Sequence, residues 1–297
     1  MHGSFFCNET GSETMYYGLL TIATLMFSIQ FVFNQRFQRA YGNDLRAMLV
    51  FSAGTGAVGA VMLFALNGFR FEFTPFTLLM SVLATIDGML CTFCSLKALG
   101  KINLSLYSVY MMLGGMALPF VVGILVYGEP LTLGKGICFA FILAAMFMSA
   151  EKDNVKGGWI WYASIFVLNG MSSVITQIFN EGNYPKAGAQ GYTLLTSLVT
   201  VAAALVLLPL TRNAARKLNT KALTSMAGYG VISRIGSLLL VISLVHLPAS
   251  AQYPFVTGGT MIFSTLWCFF GDKKPTKREL GAVALSFVGI LALTLLP

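Results

Sequence analysis

Apolar residues run through this chain in ten long stretches, separated by short polar connections. An α-helix needs about 20 mostly apolar residues to cross the hydrocarbon core of a bilayer. The pattern predicts such helices at 16–35, 45–66, 76–99, 104–127, 133–150, 159–179, 192–210, 222–247, 249–270 and 280–296. A membrane β-barrel would instead alternate polar and apolar residues over about ten residues per strand. Runs such as 136–150 and 281–296 are continuously apolar. The expected fold class is an all-α integral membrane protein with ten transmembrane helices.

The last five stretches replay the first five. Ser95-Leu96 ends the third and Ser243-Leu244 the eighth; Gly114-Gly115 lies in the fourth and Gly258-Gly259 in the ninth. Phe33-Asn34 is echoed by Phe179-Asn180, Gly42 by Gly188, and Gly136 by Gly281, at an offset near 146. The polar stretch 151–158 divides a first repeat, 1–150, from a second, 151–297. Five crossings per half is an odd number, so the second half enters the membrane from the opposite side. The expectation is a 5+5 inverted repeat about an axis in the membrane plane, a plan that lets a central site open to either side.

Composition narrows the function. Hydrophobic residues make up 56% and charged residues 10% of the chain, and mean hydropathy is +0.76. Too few charges exist to cover a soluble surface, and the ten stretches leave no room for a soluble catalytic domain. No HExxH, phosphate-binding Gly-Lys-Ser/Thr or GxSxG pattern occurs, and only two His are present. No enzyme activity, cofactor or metal is expected. Cys91 and Cys94 have redox spacing but sit mid-stretch without a second pair, and read as small packing residues. The first fourteen residues carry no Lys or Arg, so the first apolar run is read as a retained helix rather than a signal peptide.

The net charge of +8 is not gathered on a nucleic-acid face. Fifteen Lys and Arg fall in the odd-numbered connections, and three, Arg70, Lys135 and Lys186, in the even ones. The positive-inside rule then places the odd connections in the cytoplasm and both termini outside, in the plasma membrane.

Residues 100–103, Gly114-Gly115, Pro119, Gly128-Glu129, Leu131-Thr132 and Gly136 form a short connection, a Gly-rich fourth helix with a central Pro, a Gly-Glu link and a Gly-led fifth helix. Together with the duplication, this resembles the EamA-type family of the drug/metabolite transporter superfamily over essentially the whole chain. The second copy departs from the pattern with Phe263 near the place of Pro119 and Asp272 for the Glu. The resemblance implies a cavity near the bilayer midplane lined by helices 1, 3, 4, 6, 8 and 9, with amino acids, other small metabolites or toxic compounds as substrates, often exported. It also implies both termini in the cytoplasm, opposite to the charge count.

Charges at bilayer depth cost roughly 2.5–3.5 kcal/mol each at a helix centre, so each needs a partner or a task. Asp87 lies mid-way along the third stretch and Arg234 along the eighth, its repeat mate. Two readings stand side by side: an ion pair locking these helices, or substrate-binding groups, Arg234 for a carboxylate or phosphate and Asp87 for an amine or coupling proton. Polar side chains repeat at helical spacing in Asn169, Ser173, Thr176 and Asn180, bordered by Gln177, and in Tyr253, Thr257, Thr260 and Ser264. Such faces are expected to point inward. Gln30, Asn34, Tyr107 and Tyr110 complete the candidate substrate-binding set.

The reading is a secondary transporter moving small metabolites, such as amino acids, across the plasma membrane by alternating access, as an exporter. Its partners are the lipid bilayer, a small-molecule substrate and a coupling proton or ion. The alternatives are a proton-coupled exporter of organic cations or drugs, a phosphate-ester or nucleotide-sugar exchanger, and, from another class, a channel.

Overall fold

The computed structural model describes residues 6–66, 72–101, 104–126, 128, 132–149, 159–214, 217–244, 249–271 and 274–296, with backbone alone at 6–14, 249–254 and some single positions. Within these lie ten α-helices: α1 (Phe6–Tyr41), α2 (Leu45–Leu66), α3 (Pro75–Leu99), α4 (Leu104–Leu125), α5 (Leu133–Ser149), α6 (Trp159–Glu181), α7 (Ala189–Leu207), α8 (Thr220–Leu244), α9 (Ala249–Phe269) and α10 (Lys277–Leu295). Seven of them, α1 to α4 and α6 to α8, contain stretches long and apolar enough to cross a membrane. The chain is an all-α, multi-pass membrane protein. The stretch 151–158 between the expected repeats lies outside the described residues.

Local chemistry sets the ends. Gly42, with φ 118°, adopts the left-handed conformation that closes α1, and its N–H bonds the Gln38 carbonyl at 2.9 Å. Thr74 caps α3 by accepting from the Thr77 N–H, with Pro75 in the first turn, where its missing donor costs nothing. After α7, Pro209 lies in a 3-10 segment, Leu208–Ala214, kinked at Thr211. Thr276 and Glu279 form a capping box at the start of α10. Helix α1 starts earlier and ends later than its apolar run; no Pro precedes Gly42 to stop it.

Close contacts give the direction of each helix. Phe27 meets Gly236 and Phe33 meets Gly228, so α1 and α8 run antiparallel. Thr24 lies against Gly259 and Ser28 accepts from Trp267, so α1 and α9 run parallel. On the other side, Asp87 meets Ser172 while Phe93 meets Trp161, making α3 and α6 antiparallel. Gly114 packs on Phe166 and Leu118 on Gly170, making α4 and α6 parallel. Helices α2 and α7 pack antiparallel, with Gly56 against Ser197 and Val201 and Arg46 donating to Thr211 in the 3-10 segment that follows α7. Helices α5 and α10 do so through Gly289 with Phe141 and Gly281 with Met148. Successive helices therefore alternate in direction. The ends joining α1 to α2, α3 to α4 and α7 to α8 gather at one end of the bundle with Arg36, Arg39, Arg46, Lys97, Lys101 and Lys221.

Buried clusters fill the interior. One joins Phe31, Tyr107, Tyr110 and Ile165; another joins Phe37, Leu49, Phe51, Leu96 and Met226 near the basic end. Large apolar side chains also face outward: Val61 is 74% exposed, Leu125 77% and Leu210 79%. Surfaces this apolar suit lipid rather than water.

Candidate functional site

The interior polar groups gather in separate seams between helices. In the first, Tyr107 of α4 donates its hydroxyl to Ser95 of α3 at 3.0 Å and accepts from Asn34 of α1 at 3.4 Å. Tyr107 is 1% and Asn34 4% exposed. The Phe31 ring meets Tyr107 edge-on at 5.2 Å, fixing the phenol against the hydroxyl network. Gln30, one turn from Asn34, lies on the same side of α1. The Asn34 Oδ1 and Gln30 Oε1 atoms are buried with no partner. A buried amide oxygen without a donor is costly. On α3, a Cβ built at Gly88 meets nothing within 4 Å.

The second cluster lies between α4 and α6. Asn169 donates to the Met111 carbonyl at 2.6 Å, and the Tyr110 and Tyr162 rings stack at 4.9 Å. Gly114 and Gly170 make this approach possible, since a Cβ at Gly114 would stand 2.1 Å from the Phe166 carbonyl oxygen. Gln177, lower on α6, also holds a buried, unpartnered Oε1.

The two mid-helix charges lie in separate seams. Asp87 is 7% exposed and accepts a short hydrogen bond from the Ser172 hydroxyl, in the seam of α3 and α6. Arg234 donates to Ser197 of α7 at 3.1 Å, and its guanidinium lies where a Cβ on Gly59 of α2 would be. The two charges are not paired with each other; each has a serine of a different helix. The ion-pair reading of the sequence is therefore not what the structure presents. The reason is tertiary: α3 faces α6 and α7, whereas α8 faces α1 and α2, so matched depth does not bring the side chains together.

The polar stripes divide. On α9, Thr257, Thr260 and Ser264 are buried, and Ser264 donates to Ser108 of α4 at 2.5 Å. Beside it Ser105 and Thr265 share a bond of 2.8 Å. The side chain of Tyr253 lies outside the described residues. On α6, Asn169 and Ser173 face α4, but Thr176 and Asn180 are exposed. Thr176 satisfies itself by donating to the Ser172 carbonyl at 2.9 Å, so it needs no inward partner. The sequence reading missed Ser172 and Ser197 as partners of the charges, and Tyr162. Their partners are 85, 37 and 52 positions away, and no local pattern announces them. Among the described residues no three His, Cys, Asp or Glu gather as metal ligands.

No family model and no curated protein matches the chain. Solved structures do match. One, titled "Crystal structure of protein", aligns at a TM-score of 0.57 and 16% identity, over 95% of this chain and 97% of that one. Its title names no activity, and likeness at that identity concerns the fold alone.

Proposed function

We propose that the chain is a secondary transporter of small polar metabolites, of EamA-like plan, built from two inverted five-helix repeats, 1–150 and 151–297, that expose a central site alternately to either side of the plasma membrane. The observation carrying this reading is the set of helix pairs. Exchanging α1 to α5 with α6 to α10 turns the pair α1 and α8 into α6 and α3, the pair α1 and α9 into α6 and α4, and the pair α2 and α8 into α7 and α3. All of these pairs pack together. The pairs α2 with α7, α4 with α9 and α5 with α10 map onto themselves, as contacts across a two-fold axis do. Gly115 against Asn169 of α6 and Gly259 against Thr24 of α1 are the second members of the two matched glycine pairs, in equivalent seams. The first helix of each half runs in the opposite direction, which supports inversion.

Within this reading Gln30, Asn34 and Gln177, whose amide oxygens are buried without a partner, and the separate charges Asp87 and Arg234 are the substrate-facing candidates. Opposite charges that do not neutralise each other suit a zwitterionic substrate, such as an amino acid, whose amine and carboxylate would replace their serine partners. The basic end is cytoplasmic by the positive-inside rule, which puts the termini outside and opposes the orientation that the family resemblance implies.

The test is counterflow in proteoliposomes. Labelled amino acids should exchange saturably through the protein, and Asp87→Asn and Arg234→Gln should each reduce exchange about tenfold or more at unchanged melting temperature. Normal exchange by both variants would remove these residues from the site. Non-saturable flux would favour a channel.

A further inference from the structure

A cavity of about 470 Å³ opens on the bundle's periphery where the C-terminal part of α1 meets the start of α8, lined by Phe33, Arg36 and Arg39 from one helix and Lys221, Thr224 and Ser225 from the other. Among the described residues its lining has three cationic side chains and no acidic one. The hydroxyls are committed to their own helix, Thr224 to the Thr220 carbonyl at 2.9 Å and Ser225 to the Lys221 carbonyl at 2.7 Å. The charge of the lining is therefore that of its cationic side chains, and the hydroxyls donate within α8. Arg36 stacks over the Phe33 ring at 5.9 Å, which holds its stem against the wall. Asn219 closes the end by donating to the Ala40 carbonyl at 3.1 Å while capping α8 through the Ala222 N–H. The walls are thus tied together.

Position decides what such a groove accepts. It lies at the basic end of the bundle, where the apolar stretches give way to charge. Toward the bilayer middle, the same seam continues with lipid-exposed apolar residues, Ile22 at 47% on α1 and Val231 at 40% on α8. A cationic pocket above an apolar flank matches a phosphate headgroup with its acyl chains below. We propose that this α1–α8 groove binds an anionic phospholipid, with the phosphate held by Arg36, Arg39 and Lys221. Because α8 also carries Arg234, the lipid would bear on the helix pair that positions one of the central charges.

The experiment is a thermal-shift titration of the full chain in a neutral detergent, with phosphatidylglycerol and phosphatidylcholine of identical acyl chains and with inorganic phosphate. Phosphatidylglycerol should raise the melting temperature saturably and phosphatidylcholine should not. In the variant Arg36→Gln/Arg39→Gln/Lys221→Gln, half-saturation should move up on the order of a hundredfold, from about a factor of five per basic residue at an anionic lipid surface. The control Lys97→Gln/Lys101→Gln/Lys277→Gln, with the same charge removed from the same end, should keep the wild-type titration. Thr224→Trp, which fills the groove and leaves the charges, should lose the effect as well, and it decides the matter if the triple variant does not fold. The proposal is overturned if phosphatidylcholine shifts the protein equally, if inorganic phosphate reproduces the shift, if both triple variants lose it together, or if Thr224→Trp keeps it.

Discussion

A Cβ at Gly114 would stand 2.1 Å from the carbonyl oxygen of Phe166, and backbone cannot swing aside as a side chain can. Gly114→Ala should therefore cost about 1–3 kcal/mol, the usual range for overpacking, seen as a lower melting temperature of the purified protein. Gly88→Ala, where nothing lies within 4 Å, should melt like wild type. Equal melting of the two variants would show that α4 and α6 do not approach this closely. The hydroxyl bond between Ser108 and Ser264 replaces one available in the unfolded chain within the membrane, so Ser264→Ala should cost under about 1 kcal/mol by the same measurement. At this scale the sequence already carried the small residues and the polar groups. Gly114-Gly115, Asn34 and Tyr107 stand out because glycine and amides are conspicuous in apolar helices. It did not carry their partners: Ser95 is one of many serines until α3 and α4 place it under the Tyr107 hydroxyl.

Helix ends carry local signals where one residue type closes them, although the apolar run of the first stretch stops at 35, short of Gly42, and that of the tenth begins at 280, after its cap. Gly42, the Thr74-Pro75 pair and the Thr276–Glu279 box are all local signals, and the observed ends follow them. Caps at the membrane edge meet water, so their strength is that of soluble helices. Thr276→Ala removes the acceptor for the Glu279 N–H, at 3.3 Å, and should destabilise the protein by about 1 kcal/mol, whereas Thr276→Ser should not. A thermal melt of the two variants separates the cap from any effect of side-chain size. Which side of a helix faces inward was only partly legible. Hydropathy predicts a side for soluble helices, but here lipid and interior are both apolar. Polar residues were the remaining guide, and Thr176 shows its weakness: a threonine that bonds its own backbone is as content facing outward as inward.

At the scale of the molecule, the inverted-repeat reading demands that the seam between α4 and α9, which crosses the two-fold axis, rearrange during transport. Ser108→Cys with Ser264→Cys, placed where the hydroxyls are 2.5 Å apart, should form a disulfide under mild oxidation. That bond should abolish exchange, and reduction should restore it. Undiminished exchange in the fully cross-linked protein would mean that this seam does not move. A C-terminal tag should be accessible on intact cells, and a protected tag would reverse the orientation drawn from the loop charges. The sequence by itself determined membrane residence, the helices to within a few residues at most ends, and the suggestion of two halves, because crossing a bilayer needs continuous apolar length and turns need particular residues. Both are local demands written along the chain. Only the tertiary structure decided which helices touch, that Asp87 and Arg234 are held apart by different neighbours, and that Arg36, Arg39 and Lys221 share one groove. Those outcomes depend on how ten helices pack around one another, where residues far apart in sequence compete for the same space.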